Sequence, residues 1–290
     1  MIISAFLNLI LILVSSVFSF NHVILNSGEI YRLNLEVVSE KITAQKAAVL
    51  SEEGRYLLFS KDSEDVQPIA SITKLMTALV FLETNPDFTD TYTITPDDYV
   101  LGGKLHLFTG DIVNLYDLFL TSLVASDNGA TIALVHASGL SENEFVARMN
   151  EKAKELRLEH TSFIDPVGLS QYNVSTAKEA AMLALRAFHE EEIRKAMSLK
   201  EYSFQTLQGR DKYIESTDYL LFDDEENSFM PLGGKTGYTD KAGYCFAGIF
   251  AGPNGEILAA SVLNSDDKNG RFKESKEIIR WTLENYFLGN

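Results

Sequence analysis

Ser71 and Lys74 stand three residues apart in Pro68-Ile69-Ala70-Ser71-Ile72-Thr73-Lys74-Leu75-Met76, where a polar segment enters an apolar run reaching Leu82. On a helix, positions i and i+3 share a face, so the hydroxyl and the amine can meet across one turn. A serine hydroxyl becomes a useful nucleophile when a neighbour takes its proton. A lysine can do so only with a pKa far below its free value of about 10.4. Burial and nearby positive charge both act in that direction. The same spacing occurs in the polar, turn-like Ser265-Asp266-Asp267-Lys268, so spacing alone also fits a helix cap beside a solvated lysine. Context separates the two, because Lys74 falls on the first turn of the apolar run.

Two further segments carry suitable residue types. Ser126-Asp127-Asn128 interrupts two stretches of helical apolar spacing, 114–124 and 129–137. In an extended or turn conformation residues i and i+2 can point the same way; the plain alternative is a helix-ending turn rich in Asp and Asn. Gly233-Gly234-Lys235-Thr236-Gly237-Tyr238 precedes an apolar stretch at 244–251. Glycines flanking a Lys-Thr pair would let another backbone come close to a sheet edge, and a glycine-rich hairpin turn is the alternative. A phosphate-binding P-loop is excluded, because the earlier glycine and the following helix are both missing.

The surrounding elements must bring these segments together. Residues 46–51 and 55–60 read as strands joined by a tight turn at Glu52-Glu53-Gly54. The helix carrying Lys74 ends near Asn85-Pro86. Residues 88–113 look extended and rich in loops. Ser141 with Glu144, and Thr176 with Glu179, are capping-box signatures opening two amphipathic helices. Strands follow at 202–207, 244–251 and 256–263, and an amphipathic helix at 273–287 closes the chain. Strands at both ends with helices between predict an α+β fold. An antiparallel sheet would be built from both chain ends and flanked by helices, with a mostly helical subdomain inserted over roughly 88–200 and a site in the cleft between.

Composition bounds the function. With 290 residues, 46% of them hydrophobic, the chain can bury a sizeable core, and one catalytic domain over 20–290 fits best. A net charge of −16 argues against a nucleic-acid partner. Cys245 is the single cysteine and the five histidines are scattered, so neither a disulfide nor a zinc framework is expected. Met1 to Ser19 carries no charged side chain, and Val17-Phe18-Ser19 suits a signal peptidase, so 1–19 is expected to be a signal peptide. Its apolar run of about fifteen residues is short of the ~20 needed to span a bilayer. A buried helix or an uncleaved anchor are the alternatives.

The order serine-x-x-lysine, Ser126-Asp127-Asn128, Lys235-Thr236-Gly237 resembles the motif set of β-lactamases and penicillin-binding proteins. The longer segments 69–78 and 235–244 are similar to the low-molecular-mass D-alanyl-D-alanine carboxypeptidase family of penicillin-binding proteins. So are Gly168-Leu169, Val174-Ser175-Thr176-Ala177 and Arg271-Phe272-Lys273-Glu274-Ser275-Lys276, and the resemblance covers roughly 45–288. It implies a β-lactamase/transpeptidase-like fold and a serine-type D-Ala-D-Ala carboxypeptidase of cell-wall remodelling, exported to the periplasmic or extracytoplasmic space and free of metal or organic cofactor. Ser71 would attack the carbonyl with Lys74 as base, and Ser126 would relay a proton to the leaving amine. Asn128 would hold the substrate amide, and Lys235 with Thr236 would receive the terminal carboxylate. Beyond Gly237, the amide of Tyr238 would join that of Ser71 in an oxyanion hole. The implied partners are peptidoglycan peptides ending in D-Ala-D-Ala, with β-lactams as covalent inhibitors.

Many members continue into a β-domain and an amphipathic anchor, whereas this sequence stops just past its final helix, so no stable C-terminal membrane attachment is expected. The length and the segments 165–170 and 173–175 look more like the family's endopeptidase branch, which cuts D-alanyl cross-links. A β-lactamase would require a residue such as glutamate to drive deacylation, and 163–173 offers only Asp165. A non-catalytic β-lactam sensor would need a membrane connection, which only Met1 to Ser19 could provide.

Overall fold

The computed structural model describes residues 23–24, 30–32, 41–52, 54–223 and 227–288; the expected signal segment lies outside them. Strands β1 (Val23–Ile24) and β2 (Ile30–Arg32) form a small sheet with the last strand of the chain. The hairpin expected next is β3 (Lys46–Ser51) and β4 (Leu57–Lys61), paired antiparallel. After β5 (Gln67–Pro68) and a 3-10 turn at Ala70–Ile72 comes helix α1 (Thr73–Glu83). Residues Thr73 through Phe81 of α1 are all buried, as a helix apolar on every face must be. It packs against most of the other helices of the middle region.

That region contains β6 (Thr91–Thr93), β7 (Ile112–Asn114), α2 (Leu115–Leu123), α3 (Asn128–Ala137), α4 (Glu142–Glu155), β8 (Val174–Ser175), α5 (Ala177–His189) and α6 (Glu191–Ser198). Asn114 caps α2 and Asp127 caps α3, each accepting the backbone N–H three residues on. The Ser141 box is complete, with Glu144 reaching back to the Ser141 amide. The expected Thr176 box is only half made. Thr176 accepts from the Glu179 amide, but the Glu179 carboxylate turns away to Thr161 and to the His160 amide. A nearby buried hydroxyl outcompeted the local amide.

The last part supplies the hairpin β9 (Glu201–Gln205) and β10 (Asp211–Glu215), then β11 (Met230–Thr239), β12 (Gly243–Ala251) and β13 (Ile257–Ser265). Helix α7 (Gly270–Asn285) and β14 (Tyr286–Leu288) close the chain. The main sheet has the order β11-β12-β13-β3-β4, antiparallel throughout, so both chain ends do build one sheet. Successive residues alternate between its faces. Ala48 and Leu50 enter the core shared with the helices, while Ala47 and Val49 enter the core under α7. An alanine-rich face of α5 lies across β13, β3 and β12, and α7 covers the other side.

The Lys235 segment lies on a sheet edge, and the hairpin-turn alternative does not hold. Gly233 to Tyr238 forms part of β11, a ten-residue edge strand. Its glycines serve close approach: a Cβ on Gly237 would lie 2.6 Å from the Ile69 carbonyl oxygen. Strand β10 and helix α6 were not expected; both are short, and α6 is separated from α5 only by Glu190. Among the described residues no helix is long and apolar enough to cross a membrane.

Candidate active site

Ser71 sits in the 3-10 turn that feeds α1, and Lys74 on that helix's first turn, so the i, i+3 geometry is realised across a change of helix type. The turn is held in an uncommon conformation, because Ala70 adopts φ +48°. Lys74 Nζ lies 3.0 Å from Ser71 Oγ, 2.8 Å from Asn128 Oδ1 and 2.8 Å from the Val167 carbonyl oxygen. The two oxygens of Asn128 and Val167 can only accept. They take two N–H directions, and the third position of the amine faces the Ser71 hydroxyl. In the neutral amine that position is the lone pair, which is where a base must present it.

The Val167 carbonyl is positioned by Asp165, whose carboxylate accepts the amides of Val167, Gly168, Leu169 and Ser170. This answers the question raised by the absent glutamate, since Asp165 is committed to holding its own loop. The loop is pressed against the serine turn. A Cβ on Gly168, itself at φ +91°, would lie 2.1 Å from the Ala70 carbonyl oxygen.

A second serine–lysine contact faces the first across the groove. Lys235 Nζ of β11 lies 2.8 Å from Ser126 Oγ and 3.1 Å from the Thr236 carbonyl oxygen. Ser126 occupies the left-handed region at φ +57°, which turns the chain between α2 and α3. Asn128 begins α3, and its Nδ2 donates to the Gly102 carbonyl at 2.9 Å. Asp127, the middle residue of the motif, caps α3 and also accepts from the His106 amide at 2.8 Å, tying the 99–108 loop to the site.

Electrostatics follow from burial. Desolvation lowers the Lys74 pKa to about 7, against the pull of Asp127 and Asp165 in the other direction. Burial is thus the leading cause, rather than a neighbouring cation. Lys235 is also held well below the ordinary lysine range, by burial first, then by Lys74 and Arg271, with Asp218 opposing. The cavity between the pairs has a volume of about 610 Å³, with Ser71, Ser126, Asn128, Thr236, Gly237 and Arg271 in its wall. Neither Lys74 nor Lys235 is part of that wall. Each lysine amine stands behind its serine, one step back from the cavity.

All eight residues singled out from the sequence, Ser71, Lys74, Ser126, Asn128, Lys235, Thr236, Gly237 and Tyr238, meet around this groove. Tyr238 is exposed and stacks on Tyr244 at 4.4 Å. A Cβ on Gly237 would lie 3.1 Å from the Ser71 amide nitrogen, so β11 approaches the serine turn on the side expected for the oxyanion hole. Sequence reasoning missed Val167, whose contribution is a backbone carbonyl, and Thr217, whose hydroxyl accepts from Thr236 Oγ1 at 2.7 Å. It noticed Arg271 without giving it a role. That guanidinium donates to the Gly237 carbonyl at 3.1 Å, bracing β11 beside the cavity.

Comparison with known proteins agrees with this geometry. A family model for D-alanyl-D-alanine carboxypeptidases matches residues 34–267. A D-alanyl-D-alanine endopeptidase of Haemophilus influenzae is 36% identical over 204 residues, covering 69% of this chain and 68% of its own. A D-alanyl-D-alanine carboxypeptidase of Bacillus subtilis is 30% identical over 70% of this chain, which spans 52% of that relative's length. Among solved structures, the Streptomyces K15 DD-transpeptidase superposes with a TM-score of 0.76 at 25% identity, covering 84% of this chain and 98% of that one. With two buried lysines placed behind two serines and the matched region enclosing every one of these residues but Arg271, the chain belongs to the D-alanyl-D-alanine carboxypeptidase family and is a serine DD-peptidase.

Proposed function

We propose that this DD-peptidase acts on peptidoglycan stem peptides outside the cytoplasm, forming an acyl-enzyme on Ser71 and releasing the residue after the penultimate D-alanine. The observation that carries the reading is the Lys74 amine. It is buried, 3.0 Å from Ser71 Oγ, with its two remaining directions occupied by acceptors. Lys74 takes the proton as Ser71 Oγ bonds to the carbonyl carbon. The amides of Ser71 and Tyr238 stabilise the oxyanion, a contribution of about 3 kcal/mol per donor. Collapse breaks the C–N bond, and the leaving nitrogen takes its proton from Ser126, which Lys235 resupplies; the proton that Lys74 took from Ser71 then replaces the one Lys235 gave up, leaving Lys74 neutral again. Water, deprotonated by Lys74, then hydrolyses the ester. Asn128 holds the substrate amide, and Thr236, with positive charge from Lys235 behind it, receives the carboxylate. A β-lactam places its strained amide where the scissile bond lies and leaves a slowly hydrolysed ester on Ser71.

Carboxypeptidase action is the first reading, and cross-link cleavage the second. The second is favoured by relatives named endopeptidases and by a cavity that continues past Thr236 to Glu215, Tyr219 and Lys268. Incubation with a pentapeptide monomer and a cross-linked dimer separates them: D-alanine release from the monomer supports the first, and conversion of dimer to monomers the second. Rapid, sustained turnover of penicillin would instead mark a β-lactamase.

A further inference from the structure

The 102–107 segment borders the catalytic groove and has no part in the acyl transfer. Gly102, Lys104 and His106 stand in the groove wall, while Leu105 and Leu107 turn the other way into a separate cavity of about 120 Å³ beside Ile94. The side chains alternate as in an extended strand, and the buried Leu107 fixes which side faces the groove. Lys104 lies between two tied points. The Gly102 carbonyl accepts from Asn128 Nδ2 at 2.9 Å, and the His106 amide and ring Nδ1 meet Asp127 Oδ2 at 2.8 and 3.0 Å. From the far side Lys212 Nζ, paired with the buried Asp111, donates to the His106 carbonyl at 3.0 Å. The backbone of Lys104 is thereby held beside Asn128.

Four basic residues stand in the groove wall, and three of them are engaged. His106 meets Asp127, Lys268 donates to the Tyr219 hydroxyl at 3.1 Å, and Arg271 donates to the Gly237 carbonyl at 3.1 Å. Lys104 has no hydrogen-bond or ion-pair partner among the described residues. The acidic residues of the wall, Glu215 and Asp240, belong to β10 and to the turn after β11, and Asp240 already accepts from the Tyr238 hydroxyl at 3.0 Å. In a chain of net charge −16, an uncommitted ammonium in the groove suits an anion. An apolar neighbour adds to it: a Cβ on Gly102 would lie 3.7 Å from Cδ2 of Leu169, an exposed residue that also lines the groove.

We propose that Lys104 is a specificity-determining residue, selecting substrates in which the residue before D-Ala-D-Ala has a side chain of several methylenes ending in a carboxylate. This rests on the proposed acyl transfer, which puts the terminal carboxylate at Thr236 and the preceding amide at Asn128. The side chain upstream of that amide then runs along 102–104, its methylenes against Leu169 and its carboxylate at the Lys104 ammonium.

The test is kcat/KM for D-alanine release from two peptides that differ at one group, the upstream side chain ending in a carboxylate or in its carboxamide. Lys104→Ala is expected to lower the carboxylate-to-carboxamide ratio about fivefold at low salt, the scale of one exposed ion pair. Lys104→Glu lowers it further, and Lys104→Arg restores it. Raising salt to about 1 M shrinks the wild-type ratio and leaves that of Lys104→Ala unmoved. A structural defect lowers turnover of both peptides together, and an unchanged ratio overturns the proposal. A wild type that turns over neither peptide counts against the proposed function instead. Calorimetric affinities of Ser71→Ala for the two peptides then decide on Lys104. A carboxylate preference abolished by adding Lys104→Ala supports it, and equal affinities overturn it.

Discussion

The groove holds two serine–lysine contacts of similar length, 3.0 Å between Lys74 and Ser71 and 2.8 Å between Lys235 and Ser126, built in opposite ways. The first is local. One helical turn fixes it, and its lysine is surrounded by neutral acceptors in a site where burial lowers the pKa to about 7. The second joins residues 109 positions apart, and a strand and an interhelical turn must dock before it exists. Its lysine donates to the Ser126 hydroxyl and the Thr236 carbonyl, while Asp127 and Asp165, the acids that act on Lys74, are committed to backbone amides. The same two residue types thereby meet in two different surroundings, and the proposed reaction asks a base of the first pair and a proton relay of the second.

Substitutions of the two serines give the largest expected separation. Ser71→Ala should abolish acylation by a fluorescent penicillin, a loss of at least about 10⁴-fold. Ser126→Ala should lower peptide turnover by about 10²-fold, the scale of one proton transfer, while leaving Ser71 able to be acylated. Equal losses would dissolve the distinction between nucleophile and relay. Acidity sharpens it further. Lys74 is the base only when neutral, so the acylation rate should rise about tenfold per pH unit below 7 and level off above it. Because the unfolded chain binds a proton on this residue between about 7 and 10.5 that the folded chain does not, stability from Lys74 should increase with pH across that window. A rate flat from pH 5.5 to 8 would remove Lys74 from its role.

Smaller effects test the scaffold behind each pair. Gly168→Ala forces a Cβ toward the Ala70 carbonyl and imposes about 1–3 kcal/mol of strain. It should slow acylation more than it lowers the melting temperature, because the displaced turn carries Ser71. Ser141→Ala, on the far cap of α4, removes one helix-capping bond worth about 1 kcal/mol. Its melting temperature should fall slightly with the acylation rate unchanged, and a slowed rate would show that the helical region is coupled to the groove.

Much of the architecture was legible because it follows from short-range chemistry. Short apolar runs bounded by turn residues toward both ends predicted the sheet, and the apolar run after Lys74 predicted the buried helix. Where side chains had a choice of partner, local patterns misled: Glu179 left its capping box for Thr161. The glycines of the Lys235 segment weaken its strand signal and left a hairpin turn open as the alternative, yet they are what allow β11 to press against the serine turn.

Residue types and spacing by themselves determined which side chains could react, since i, i+3 contacts need nothing beyond one turn of helix. They also determined that the chain ends share a sheet. Tertiary structure alone decided that Lys74 loses its proton near neutrality, because desolvation depends on everything packed around the amine. It alone brought Lys235 to Ser126, Thr217 to Thr236, and the Val167 carbonyl to Lys74. Contacts between distant segments come from docking, and a backbone carbonyl carries no signature in the identity of its residue.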